Sequence, residues 1–306
     1  PLKTLLFLAV LWLPLSFFVW FNFAQLWVQP IAELAGQVMS ALFDGSFARA
    51  ELTQYKIDFY FRVVPEGLRP VVVHSALATV SNKLDELLHR ALEMDVTAQV
   101  AGIRELHLRL AAGLQVDGEK ELGGYFRELE QLLAGIHLIR EVSPRIQARV
   151  MGLGELMATR LGAAYLARVG LKVTWLDARE LLRSNMPPGT NERSAWLAAN
   201  CDFDPDAELQ ARFAAEAGVV LTQGFIASNA RGDGVLLGRG GSDTSGAYFA
   251  AKLQAAVLEI WTDVPGMFTA NPKVVPGARL LRLLSYEEAQ EIASTGGSVL
   301  HPRCIR

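Results

Sequence analysis

The sequence predicts an α/β protein, a mostly parallel sheet with helices on its faces, preceded by a hydrophobic membrane-type helix. Three observations carry that reading. Short, continuous apolar runs such as residues 70–74 (PVVVH) alternate with longer segments of amphipathic helical period. A glycine-rich stretch, residues 236–246, opens directly onto a helical pattern. No charged residue occurs from Thr4 to Ala32.

The elements follow in order. Residues 5–21 are apolar except for Ser16, and residues 23–28 add five further apolar positions. At about 1.5 Å per residue, about 20 helical residues cross a ~30 Å hydrocarbon core, so residues 4–28 are expected to span a membrane. Pro14 would kink such a helix without excluding it, and Trp12, Trp20 and Trp27 suit interfacial anchoring. A signal peptide with Lys3 as its basic end is the competing reading, but the run is long and no small-x-small site follows it. Residues 1–32 therefore form one expected unit. Residues 33–65 form a second, of separate origin, whose alternating stretch 55–64 reads as a half-buried antiparallel strand. Pro65, Glu66 and Gly67 punctuate the chain, and residues 66–306 form the third unit.

Within that unit, residues 83–94, 98–114, 119–139 and 143–170 read as helices, the last starting at Ser143-Pro144. Strands are expected at 70–74, 171–176, 218–222 and 257–262, and a helix at 247–256. Strands alternating with helices imply parallel pairing.

Composition narrows the function classes. The 306 residues carry 29 Lys plus Arg and 32 Asp plus Glu, a net charge of −3, which excludes a strongly basic nucleic-acid binder. Cys201 and Cys304 allow neither a disulfide framework nor a structural zinc cluster. The histidines show no metal-ligand spacing; His89, His107 and His137 are expected on helix surfaces. No basic neighbourhood beyond Arg303 and Arg306 activates Cys304. The chain begins at Pro1, which reads as a fragment or a processed product.

Four stretches could carry chemistry. In residues 236–246, Gly238, Gly240 and Gly241 let backbone N–H groups approach a ligand, the following helix adds a positive dipole end, and Arg239 supplies a fork for a carboxylate or phosphate. The same residues also suit an ordinary glycine turn with Ser242 or Asp243 as N-cap. Residues 259–273 form a polar, turn-rich loop after a strand, either a ligand site or a plain surface loop. Glu155 lies in an apolar helical pattern, on a solvated face or buried and in need of a cation. Ser75 follows the strand PVVVH as a ligand donor or a cap.

Taken together these residues resemble aspartokinase. The carriers are Thr222-Gln223-Gly224-Phe225-Ile226, Leu237-Gly238-Arg239-Gly240-Gly241-Ser242-Asp243, Trp261-Thr262-Asp263-Val264-Pro265-Gly266 and Val299-Leu300-His301-Pro302. Ser75-Ala76 with Asn82, and Gly154-Glu155-Leu156-Met157, stand in the expected order. The run Met267 to Pro272 is most similar to the aspartokinase half of bifunctional aspartokinase/diaminopimelate decarboxylases. The resemblance implies a three-layer α/β/α amino-acid-kinase fold over residues 66–306 and phosphoryl transfer from MgATP to the β-carboxylate of L-aspartate, with ATP and Mg2+ as cofactors. It implies that Glu155 holds the substrate amino group and Arg239 its carboxylate. Ser75, Gly240, Gly241 and Ser242 would line the pocket, and Asp243 would organise the catalytic centre. Thr262, Asp263, Phe268, Asn271, Pro272 and Lys273 would cradle the nucleotide. The kinase part would be cytoplasmic, anchored to the inner membrane by the N-terminal segment; a homo-oligomer is compatible with the family, and no metal cluster is expected.

The chain also departs from that family. The opening Lys-Phe-Gly-Gly-Thr-Ser turn, whose lysine neutralises the transferring phosphoryl group, has no counterpart. Ser298 stands where a lysine is usual, Lys273 where arginine is commoner, and the chain stops before the regulatory domains. The missing strand predicts a gap in the sheet and little turnover. The alternative reading is a non-catalytic membrane-anchored protein with a degenerate kinase-like binding module. Residues 1–64 also resemble small membrane proteins associated with bacterial exosortase systems.

Overall fold

The computed structural model describes residues 4–9 (as backbone), 69–261, 266–296 and 299–305. Its strands are β1 (Thr4–Ala9), β2 (Arg69–His74), β3 (Val173–Trp175), β4 (Val219–Gln223), β5 (Ile226–Ser228), β6 (Gly234–Leu236) and β7 (Val257–Trp261). Five of them form one parallel sheet in the order β3-β4-β2-β1-β7, while β5 and β6 make a separate antiparallel hairpin. The apolar runs earn their central places: Val71, Val72 and Val73 of β2 and every residue of β4 are buried, as strands covered on both faces must be.

Nine helices are described: α1 (Val80–Ala91), α2 (Thr97–Gly113), α3 (Gly118–Ile139), α4 (Pro144–Arg168), α5 (Ala178–Leu181), α6 (Glu192–Leu197), α7 (Ala207–Ala215), α8 (Gly241–Leu253) and α9 (Tyr286–Ser294). A 3-10 turn, Pro302–Cys304, follows. Local chemistry sets the starts. Ser143 accepts from the Ile146 N–H at 3.3 Å ahead of Pro144, and Asp117 accepts from the Lys120 N–H at 3.1 Å, each satisfying a donor that the helix leaves open. Helix α4 packs against β2, β3, β4 and β6, and α8 against β1, β2 and β7. The long helices and the strands at 70–74, 171–176, 218–222 and 257–262 stand close to where the sequence puts them.

The N-terminal expectation is corrected in part. Thr4–Ala9 does not begin a membrane helix; it is a strand inside the sheet, with Leu5 opposite Pro70 on one side and Val257 on the other. The expected gap is therefore filled. An apolar segment serves a membrane helix and a strand covered on both faces equally well, and periodicity does not separate them. Residues 10–28 of the expected span and the expected strand 55–64 lie outside the described residues. Among the described residues no helix is long and apolar enough to cross a membrane.

A second correction concerns His107, which is fully buried rather than on a helix surface. It falls in register with Val100, Ile103 and Leu110 on the inner stripe of α2, its Nδ1 lies 2.8 Å from the Ile103 carbonyl, and burial holds its pKa down at about 4.

Candidate active site

The site forms where loops leave the carboxyl ends of β2 and β4 and meet the start of α8, the usual place for ligands in parallel sheets. The Gly224 N–H donates to the His74 carbonyl at 2.9 Å, joining the two strand ends. Phe225 adopts φ +67°, rare for a bulky residue. Its N–H donates to Ser245 Oγ at 2.9 Å, and Ser245 in turn donates to the Gly241 carbonyl at 2.7 Å. The turn after β4 is thereby tied to the first turn of α8.

Glu155 enters from α4. Gly154 lets the helix come close: a Cβ there would lie 3.1 Å from the Ala76 Cβ. Glu155 is only 2% exposed, which settles the two readings of its pattern in favour of burial. Its Oε1 accepts from the Ala76 N–H at 3.4 Å, whereas Oε2 has no partner. No ion pair reaches it among the described residues. Burial pushes its pKa up to about 8, against weaker lowering by backbone hydrogen bonds.

A polar knot that the sequence reading missed fixes this part of α4. Gln223 donates through Nε2 to Thr159 Oγ1 at 3.0 Å and accepts from the Ala178 N–H at 2.7 Å. Thr159 donates to the Glu155 carbonyl at 2.8 Å and accepts from Trp175 Nε1 at 2.9 Å. Gln223 belongs to a motif that the sequence displayed, but nothing local announced its partners.

Helix α8 has Gly240 as its N-cap, with φ +65° and no side-chain cap hydrogen bond. Neither Ser242 nor Asp243 takes that place. Asp243 lies in the first turn, where burial raises its carboxyl to about 6. Arg239, just ahead of the helix, is exposed and makes no ion pair among the described residues. His74, at the end of β2, is buried, and burial lowers its pKa to about 4, so the ring is neutral.

The structure thus brings Ser75, Glu155, Gly241 and Ser242 around the same strand ends, with Phe225 as an addition, and Gly240 and Asp243 stand beside them at the start of α8. Phe268 bridges Leu280, and Asn271 Oδ1 accepts from the Lys273 N–H at 3.0 Å, so residues 268–273 form a self-braced corner. Asn271, Pro272 and Lys273 are exposed. No described contact joins this corner to the glycine loop. Thr262, Asp263 and Ser298 lie outside the described residues. Cys304 is half-buried and its thiol is pushed up to about 11 by burial.

Comparison with known proteins identifies the family of this fold. Residues 57–306 match the family model described as the amino acid kinase family, and residues 1–84 match one described as exosortase H-associated membrane protein. Lysine-sensitive aspartokinase 3 of Escherichia coli is 33% identical over 240 residues, 77% of this chain and 51% of that protein. Bifunctional aspartokinase/homoserine dehydrogenase 1 of Arabidopsis thaliana is 33% identical over 253 residues, 79% of this chain and 27% of that protein. The crystal structure of E. coli aspartokinase III in complex with aspartate and ADP superposes with a TM-score of 0.71 at 26% identity, over 99% of this chain and 59% of that one. The chain thus spans from about a quarter to about half the length of the curated relatives it matches.

Proposed function

This chain belongs to the amino acid kinase family through residues 57–306, and on that premise we propose that it binds L-aspartate and MgATP as an aspartokinase-type domain, the chemistry being phosphoryl transfer to the β-carboxylate to give 4-phospho-L-aspartate. The observation that carries this reading is the buried, unpaired Oε2 of Glu155. A buried carboxylate without a cation is unfavourable, and the ammonium group of an amino acid is the partner it lacks. Arg239 would grip a substrate carboxylate with a two-pronged bond. Ser75, Gly240, Gly241 and Ser242 line the space between, and the amino end of α8 favours negative charge there.

Phosphoryl transfer asks alignment and charge neutralisation of the protein, with the substrate carboxylate as its own nucleophile. Glu155 and Arg239 would orient the aspartate from two sides, and the closed turn at Phe225 would limit water. Phe268, Asn271, Pro272 and Lys273, together with Thr262 and Asp263, would hold the nucleotide, and the use of ATP puts this part of the chain on the cytoplasmic side. Among the described residues no group of three or more acidic, His or Cys side chains could hold a metal by itself. Mg2+ takes one or two carboxylates and completes its shell with phosphates and water. Asp243 would hold it, and the ion would neutralise phosphate charge.

The test is calorimetric titration of the chain with L-aspartate. Binding is expected, and Arg239→Ala is expected to weaken it by about 2–5 kcal/mol, the cost of breaking a desolvated charge pair. No binding, or an unchanged affinity in the variant, overturns the reading. Binding without turnover would favour the second reading, a kinase-like binding module, which the missing Lys-Phe-Gly-Gly-Thr-Ser turn supports.

A further inference from the structure

We propose that Arg303 is a positioning residue: its guanidinium, together with the ring of His301, braces the two glycine hinges on either side of Arg239 and so fixes the direction from which Arg239 meets the substrate carboxylate. The inference rests on the pocket reading given above for Arg239.

Arg239 stands between Gly238 at φ +76° and Gly240 at φ +65°. Glycine populates positive and negative φ about equally, so two flanking glycines give the loop no steric preference of its own. Contacts from outside must hold it. At Gly238 a Cβ would lie 3.2 Å from Arg303 Nη2 and 3.3 Å from Ala198 Cα, so the hinge is gripped between the two. At Gly240 a Cβ would lie 2.5 Å from the His301 Cβ. Both hinges are thus walled by one short segment, residues 301–303.

Arg303 is itself anchored on two sides. Its Nη1 donates to Asn200 Oδ1 at 2.9 Å, next to Ala199, whose N–H donates to the Leu236 carbonyl at 2.8 Å. Its guanidinium also stands beside the hydroxyl of Tyr248, a buried residue of α8. One step on, Cys304 Sγ lies 3.7 Å from Thr244 Oγ1, which donates to the Gly240 carbonyl at 2.8 Å. The segment therefore meets the glycine loop and α8 at Gly238, Gly240 and Thr244. A planar fork can serve Asn200 and Tyr248 while covering Gly238; a lysine keeps the charge but not the plane.

Hydrogen exchange on the full chain, read together with aspartate titration, tests this. Arg303→Ala is expected to speed exchange of residues 237–242 about tenfold or more, as in a locally opened segment, with α2 and α3 unchanged. It is expected to raise the aspartate dissociation constant about 10- to 100-fold, the range for a misplaced orienting group. Arg303→Lys should recover part of both effects. Arg212→Ala, which removes an exposed pair with Glu180, should change neither. Unchanged exchange at 237–242, or equal acceleration through α2 and α3, overturns the proposal. Wild-type binding with an unchanged constant in Arg303→Ala overturns the role of Arg303 alone. A wild-type chain that binds no aspartate overturns the pocket reading and the role together.

Discussion

Replacing Glu155 with glutamine should change how stability depends on pH. The carboxyl rises from 4.5 to about 8 because burial disfavours its charged form. A group with a raised folded-state pKa contributes its stabilisation fully below the unfolded value and loses it as pH rises through the folded one. Between pH 4.5 and about 8 the unfolded chain has already released this proton while the folded chain still holds it, so stability falls with rising pH. At about 1.4 kcal/mol per pKa unit, the loss approaches about 5 kcal/mol at its upper end. Asp243 (about 6) and Glu259 (about 7) push in the same direction, and His74, held neutral down to about 4, pushes the opposite way below pH 6.5. These groups persist in Glu155→Gln, so the difference between the two profiles isolates Glu155. Urea unfolding followed by circular dichroism at pH 5 and pH 8 measures it. The variant should match wild type within about 1 kcal/mol at pH 5, the size of one ordinary hydrogen bond, and exceed it by several kcal/mol at pH 8. Saturating aspartate should flatten the wild-type profile and leave the variant unmoved. Parallel profiles for the two proteins would refute the reasoning, because they would mean that Glu155 is already ionised and paired.

Other perturbations address other parts of the molecule. Gly240→Ala combines a left-handed residue, about 1–2 kcal/mol, with overpacking against His301, about 1–3 kcal/mol; an unshifted melting temperature would contradict the hinge geometry. Leu6→Pro removes a donor from a strand paired on both sides and should lower stability, whereas unchanged unfolding in denaturant would take Thr4–Ala9 out of the sheet. In a hydroxamate assay at saturating MgATP and aspartate, turnover should fall well below the about 1–100 s⁻¹ of kinases generally, since each lost preorganised charge costs about 10²–10³-fold. Robust turnover would show that another cation replaces the absent lysine.

The sheet was legible because central parallel strands must be apolar on both faces, and PVVVH and VVLT announce that without reference to partners. The glycine loop was legible because few roles require three glycines in four positions ahead of a helix. Of the N-terminal segment, residues 4–9 were misread because their apolar content answers two different environments, and only pairing partners more than 60 and 250 residues away decide between them. Helices α5, α6 and α7 were missed because four to nine residues hold too little periodicity to register. Phe225 gave no sign because its strain appears only in φ, and the Arg303 contacts gave none because they join residues 65 and 103 positions apart.

The position of β1 also has a bearing on synthesis. Leu5 pairs with Val257, 252 residues later. At about 5–20 residues per second, about 13–50 s separate the emergence of the two partners from the ribosome. Once β2 is made, β1 has only one of its two neighbours, and this part of the sheet cannot close until β7 arrives. Pairing of such sequence separation is slow and leaves edges open to other chains. Production of this protein should accordingly depend on chaperone capacity and growth temperature far more than its final stability would suggest.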